Sequence, residues 1–414
     1  MTFDVLVLGS GMVGAGCALY LQEAGKSVAL VDKGQPGMQT SHGNAGIIQR
    51  EAIHPYAFPR ELKVIMGTAL NRRTDIQYHL NALGGLVRPL SQYYRYSAPK
   101  PYAPIARDYA SLISLSLETH QHLIQRAGAE ALLGNHHWLA ISRTEQHLQQ
   151  NYQQADLFAE LGVNHQKLNA QQLKQLEPDL NTAFPGAVMW TSPQTIRHPS
   201  KLVQAYVDLF CAAGGQFITA DVSNLTRTAG LWQIRDVQGQ LIQAKEVVVA
   251  LGPWSTELTA RFGYRPPLFS KRGYHRHYRP VPGKTLNNWV MDAEKGYLLA
   301  PMEQGIRLTT GAELAKPDAP QTPRQLSMLE PIARQSFPVG ERVDSETWSG
   351  RRPCLPDMKP VIGKVPGTDG MWCAFGHGHQ GFTLGPATGL LLAQMMTGQT
   401  TSIDTQPFSP ARWA

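Results

Sequence analysis

The sequence predicts an α/β protein: a doubly wound domain assembled from separated pieces of chain, with a second module inserted between them. Three observations carry this. The chain opens as strand, glycine turn, helix and strand, and an apolar strand-type run, Val247-Val248-Val249-Ala250, resumes that pattern much later. At 414 residues the chain is also longer than one hydrophobic core usually serves.

In order along the chain, Phe3 to Leu8 is a short β-rich run and Gly9 to Gly14 a tight turn. Val13 to Glu23 has helical character and ends near Gly25, and Ser27 to Val31 is a second buried-type strand. Residues 54–194 mix helical periodicity with Pro-rich loops and read as a separate module. From Ser200 the doubly wound pattern returns: Leu202 to Ala213 is a helix closed by Gly214-Gly215, and strands alternate through Leu251. Residues 262–344 form a second excursion. From Trp348 the chain ends in a glycine-rich turn and a helix expected to start near Pro386. The expected division is 1–55, 195–260 and 345–414 for the doubly wound domain, and 56–194 with 261–344 for the other.

Hydrophobic residues make up 42% and charged residues 17%, which excludes a disordered or fibrous chain. No basic region or small-residue cleavage site precedes the first strand. No stretch reaches the ~18–20 apolar residues a spanning helix needs; the closest approach, Gly389 to Met396, is far too short. Cys17, Cys211, Cys354 and Cys373 show no paired spacing, so reduced thiols and a cytoplasmic location are expected. The net charge of +7 could serve anionic lipid, an acidic protein, nucleic acid, or solubility alone.

Gly9-Ser10-Gly11-Met12-Val13-Gly14 matches G-x-G-x-x-G in its required context, between strand and helix, with Asp32 closing the next strand. Gly9 permits the turn, Gly11 lets the backbone approach a pyrophosphate, and Gly14 allows close helix–strand packing. The helix start offers free N–H groups to the phosphates. Asp32, with Lys33 beside it, suits the ribose of an adenosine and disfavours a 2′-phosphate. Thr40-Ser41-His42-Gly43-Asn44-Ala45-Gly46 suits a loop following a phosphate chain and a ring, or a plain polar turn.

Near the other end stand Arg351-Arg352-Pro353, Pro356-Asp357, Val361-Ile362-Gly363, and then Gly376-His377-Gly378-His379-Gln380-Gly381-Phe382-Thr383-Leu384-Gly385-Pro386. With the opening fingerprint, T-S-x-x-N-A-G and V-V-x-A-x-G-x-W-S (Val247 to Ser255), the chain resembles the D-amino-acid oxidase superfamily of FAD enzymes over its whole length. Within it, T-S-x-x-N-A-G and Arg272-Gly273-Tyr274 look most like bacterial D-amino acid dehydrogenases. The resemblance implies a Rossmann-like FAD domain, a mixed-sheet α+β substrate domain covering the flavin, and oxidative deamination of a D-amino acid. Glycine, sarcosine, hydroxyproline, another secondary amine, or a tRNA-borne amine are the alternatives.

By that likeness Thr40, Ser41, Asn44, Ala45 and Gly46 line the flavin, Val222, Gly252 and Trp254 lie along the extended cofactor, and Gly376, Gly378, His379, Gly381, Phe382 and Thr383 surround the ring. FAD is expected to be non-covalent, because Cys354 stands off the attachment position. Hydride arriving at flavin N5 leaves negative charge on N1 and C2=O, which a helix start behind the glycine turn would stabilise.

The substrate needs a carboxylate anchor, and the planar fork of Arg352 suits one. Arg351 is expected in a surface salt bridge. His379 occupies a position where some relatives carry a second arginine; it could donate to the substrate or sit passively at the flavin edge. Tyr274 and Tyr297 could gate the pocket or simply pack. His54, His275 and His277 are further pocket residues; no metal site is expected. Residues 87–104 hold Arg88, Arg95 and Lys100 among Tyr93, Tyr94, Tyr96 and Tyr102. This basic aromatic stretch could rest on a membrane from the cytoplasmic side, where a quinone acceptor is found, or be a loop with exposed tyrosines. No nucleic-acid partner is expected.

Overall fold

β1 (Thr2–Leu8) and β2 (Val28–Asp32) lie parallel, joined by α1 (Met12–Glu23). The computed structural model describes residues 1–414. β1 also pairs in parallel with Leu241–Val249, β2 with Gln216–Thr219, and Leu241–Val249 with Met371–Phe375. All five strands therefore run the same way, and the run Val247-Val248-Val249 is fully buried, as a strand covered on both faces must be. Antiparallel strands Thr226–Thr228, Leu231–Arg235 and Val361–Lys364 complete this sheet.

α1 crosses the long carboxy-terminal helix Gly381–Met396 with their backbones in contact. A Cβ built at Gly389 would lie 2.4 Å from the Gly16 backbone, so only glycine fits that crossing. The carboxy-terminal helix starts at Gly381, earlier than the expected Pro386, which sits inside it. A proline there cannot bond the carbonyl four residues back, that of Phe382. Buried His120 fills the gap: its Nε2 lies 2.9 Å from the Phe382 carbonyl oxygen.

The second sheet is mixed, ordered Ile76–Tyr78, Ala312–Leu314, Phe269–Pro280, Gly305–Thr310, Tyr297–Met302, Trp289–Asp292, Trp138–Ser142, Gly186–Trp190 and His165–Asn169. Trp348–Cys354 also belongs to it, antiparallel to Phe269–Pro280, so the boundary expected at 345 falls after this strand instead. The chain crosses to the first sheet only after that strand, through Leu355 to Pro360. The stretch 87–104 lies in two helices, Leu83–Tyr96 and Pro99–Ser114; Tyr93 is buried and, of its four tyrosines, only Tyr94 is exposed. Their packing spacing turns most of these rings inward. The four cysteines are unpaired, and no helix is long and apolar enough to cross a membrane.

Candidate active site

The two sheets enclose a cavity of about 520 Å³, within the usual range for ligand sites. Its floor is the opening fingerprint. Gly9 turns the chain at φ +102°, and a Cβ on Gly14 would fall 1.7 Å from the Gly9 carbonyl oxygen, so Gly14 serves the turn from behind and does not line the space. No side chain of the preceding Gly11 caps α1; Ser41 Oγ accepts the Met12 N–H at 3.1 Å, and Gly11, Met12 and Val13 face the cavity. Asp32 Oδ2 accepts from both the N–H and the hydroxyl of Ser10, at 2.7 and 2.8 Å, which fixes the carboxylate at one end of the cavity beside exposed Lys33.

Val222, Gly252 and Trp254 form the side wall, and Thr40, Ser41 and Asn44 another. Arg351 does not make the expected surface salt bridge; its guanidinium lies 4.8 Å over the Trp254 ring. Ala45 and Gly46 stand back from the cavity: the Ala45 carbonyl accepts from Trp289 Nε1 at 2.6 Å, and the Gly46 carbonyl from the Ile196 N–H at 2.7 Å. They anchor the loop instead of lining it. A residue that sequence reasoning missed, Arg307, holds the same loop from the second sheet. It is buried, donates to the carbonyls of His42 (3.1 Å) and Asn44 (2.5 Å), and its Nε meets His277 Nε2 at 2.9 Å.

At the far end Gly378, His379, Gly381 and Phe382 close the cavity, placing the uncapped start of the carboxy-terminal helix against it. Its free amides offer a positive end to any electronegative edge there. Gly376 packs behind, on a small adjoining cavity, and Thr383 Oγ1 is turned to the Gln49 N–H (3.2 Å).

Arg352 enters from the second sheet. Its guanidinium donates to the carbonyls of Gly311 (2.6 Å) and Thr310 (3.3 Å) and lies over Gly273, where any Cβ would meet it at 2.4 Å. No carboxylate lies within 4 Å of it. A desolvated guanidinium without a counter-ion calls for an anion. His379 stands nearby; desolvation, then Arg352 and Lys271, hold its imidazole well below the usual range, so it is neutral. Lys271 Nζ donates to Tyr93 Oη at 3.1 Å and also has no acid partner.

The two predicted tyrosines are not free donors. Tyr274 lines the cavity with its ring, but its hydroxyl donates to buried Glu313 at 2.7 Å and accepts the Thr322 N–H at 2.9 Å. Tyr297 lies in the second core, with its hydroxyl on Ser336 at 2.9 Å, away from the cavity. The signal for Tyr297 was residue type alone and for Tyr274 also its place in Arg272-Gly273-Tyr274, and neither shows where a hydroxyl points. His275 stacks on Trp348 at 4.6 Å, His277 pairs with Asp344 at 2.8 Å, and exposed His54 packs edge-on against Phe158. Cys354 is buried behind Arg352, and burial pushes its thiol up, so it remains protonated.

Behind the helix start lies a second feature the sequence did not reveal. Buried Glu51 accepts from Gln49 Nε2 (2.6 Å) and Trp138 Nε1 (3.2 Å), and Gln380 Nε2 donates to Gln49 Oε1 (2.7 Å). Glu51 Oε2 and Gln380 Oε1 have no donor, and burial pushes the Glu51 carboxyl up to about 7.

A cavity lined by the carboxylate of Asp32, by a glycine-lined helix start and by a second helix start fits a flavin dinucleotide. Residues 4–395 match the model of the FAD-dependent oxidoreductase family. The chain belongs to that family. FAD is its cofactor, and this FAD-dependent oxidoreductase is similar over nearly its whole length to proteins named for amino-acid oxidation. The D-amino-acid oxidase of Bradyrhizobium diazoefficiens is 27% identical, covering 99% of this chain and 98% of the relative. The D-amino acid dehydrogenase of Chromohalobacter salexigens is 26% identical, covering 99% and 100%. Among solved structures, glycine oxidase from Geobacillus kaustophilus superposes with a TM-score of 0.75 at 24% identity, covering 99% of each chain. L-proline dehydrogenase from P. horikoshii does so with 0.75 at 16%, covering 99% and 97%.

Proposed function

We propose that the enzyme oxidatively deaminates a D-amino acid and passes the electrons to a quinone or a comparable acceptor. The observation that carries the amino-acid reading is Arg352, a desolvated guanidinium facing the cofactor cavity with two carbonyls fixing its orientation and no acid to neutralise it. Its fork binds the substrate carboxylate through two parallel hydrogen bonds. Arg352 and Lys271 together favour the neutral form of the substrate amine, since a third cation beside them is repelled. His379, neutral, accepts or donates one hydrogen bond at that position without adding charge. Bound FAD supplies a hydride acceptor for the Cα–H bond.

Thr40, Ser41 and Asn44 together with Gly11 to Val13 and Asp32 hold the non-covalent cofactor along its length, and the ring of Tyr274 with Trp348 walls the substrate side from water. The substrate loses hydride from Cα and a proton from nitrogen, giving an imine that water hydrolyses to a 2-oxo acid and ammonium. D over L rests on the names of the relatives at 26–27% identity.

The test is anaerobic mixing of the holoenzyme with D- and L-amino acids while the flavin absorbance is followed. Bleaching by D-amino acids alone supports the full reading. Bleaching only by glycine, sarcosine or proline-type amines keeps the Arg352 anchor and replaces the substrate. No bleaching by any carboxylate-bearing amine overturns the proposal.

A further inference from the structure

Residues 56–100 present an apolar and cationic surface that the fold leaves uncovered. The helix Leu62–Ala69 has no buried residue. Leu62, Met66, Ala69 and Leu70, spaced i, i+4, i+7 and i+8, share one face, and that face is turned to solvent: Leu62 is 71% exposed, Met66 59% and Leu70 64%. A helix of a soluble domain ordinarily turns such a stripe inward. Leu80 and Val87 continue the exposed apolar surface. Seven of the thirteen exposed large hydrophobic residues of the chain fall between 56 and 94, so they are clustered and not scattered as ordinary surface residues are.

The segment is held together internally. Arg60 donates to the Tyr94 carbonyl at 2.7 Å with its guanidinium 4.0 Å over the Tyr94 ring, and Tyr78 Oη donates to the Ala69 carbonyl at 2.6 Å. The same stretch carries seven Lys and Arg against two acids, one of which, Asp75, is already paired with Arg73 at 2.7 Å. Arg60, Lys63, Arg72, Arg88, Arg95 and Lys100 are all exposed and lack an acid partner.

We propose that this surface docks the enzyme on an anionic lipid bilayer. The helix Leu62–Ala69 lies in the interface plane, its exposed apolar face enters the acyl boundary, and the surrounding cations meet the headgroups. A second copy of the chain fits less well, because a two-fold contact would set these cations against themselves. Docking here would also bring the bilayer to the active site. Tyr56, 57% exposed at the edge of the surface, stands 5.0 Å from the ring of His379 at the end of the flavin cavity. The proposal goes beyond the substrate reading and does not depend on it.

The holoenzyme is tested by co-sedimentation with vesicles of phosphatidylcholine alone and of phosphatidylcholine with phosphatidylglycerol. We expect binding to the anionic vesicles that weakens with salt. The variant combining Leu62→Ser, Met66→Ser and Leu70→Ser should bind at least about tenfold less while keeping its flavin spectrum. A charge variant, Lys63→Glu with Arg88→Glu, should bind less as well and covers the case in which the triple variant fails to fold. Equal binding to neutral and anionic vesicles, or binding unchanged in both variants, overturns the proposal. So does a wild-type dimer that becomes monomeric in the triple variant without any vesicle binding.

Discussion

At the scale of single residues, the environment of each side chain decides its role more than its identity does. Arg272 and Arg352 lie on adjacent strands of the second sheet. Arg272 is spent on Glu313 (3.3 Å) and three carbonyls; Arg352 has carbonyls only and faces the cavity. Arg352→Met should therefore raise the KM for the amino acid on the order of 10–100-fold with the flavin spectrum retained, the value of a charge-assisted bidentate pair. Tyr274→Phe should lower the thermal midpoint while leaving KM within about twofold, because its hydroxyl serves Glu313 and Thr322. A large KM effect would show that the hydroxyl turns to the substrate. Glu51 gives a pH prediction. Its folded carboxyl is raised from 4.5 to about 7, so the folded state holds a proton that the unfolded state has lost. The corresponding stability is fully present below pH 4.5 and is lost as pH rises through about 7, a change on the order of 3 kcal/mol. Urea midpoints should fall over that window in the wild type and stay flat in Glu51→Gln; parallel slopes would refute the assignment.

At the scale of elements, what was legible was local and what was missed was non-local. The opening strand–turn–helix–strand follows from apolar runs and glycine spacing within one stretch of chain. The place of Arg352 on the cavity was legible because its motif, the arginine before Pro353, lies within one short stretch of chain. The helix start at Gly381 was not, because Pro386 normally marks a first turn, and its tolerance inside this helix depends on His120, distant in sequence. Arg307 and Glu51 escaped, and Tyr297 was expected at the pocket when it lies in the core, for the same reason: the partners that define them come from other elements. The proline and the histidine form a testable pair. His120 has Tyr206 Oη at 3.0 Å from its Nδ1 and the Phe382 carbonyl at 2.9 Å from its Nε2, and burial lowers its pKa to about 4, so it stays neutral. His120→Phe leaves the Phe382 carbonyl buried without a donor and should cost about 1–3 kcal/mol. Pro386→Ala restores an N–H four residues on, so the double variant should recover part of that loss in urea denaturation. Simple additivity of the two single effects would separate His120 from the helix.

At the scale of the whole molecule, the candidate active site is where three stretches of chain and two sheets meet around one cavity. The first sheet brings Gly9 to Val13 and Asp32, and the second brings Tyr274, Thr309 and Arg352. The carboxy-terminal turn closes the end with Gly378 to Phe382. Arg307 and Trp289 of the second sheet hold the 42–45 loop by its carbonyls, so the wall of the cofactor site is itself anchored in the substrate domain. FAD that binds only when these parts are assembled must stabilise the assembly by mass action, by about 2.7 kcal/mol at a free concentration one hundred times its Kd. The thermal midpoint should thus rise with the logarithm of added FAD. A 2-oxo acid product should raise the midpoint of the holoenzyme further, through Arg352. In Arg352→Met the FAD-dependent rise should persist and the 2-oxo acid increment should vanish. If the variant loses the FAD-dependent rise too, Arg352 is part of the cofactor cradle and the carboxylate anchor lies elsewhere. Persistence of both increments would likewise remove Arg352 from that role.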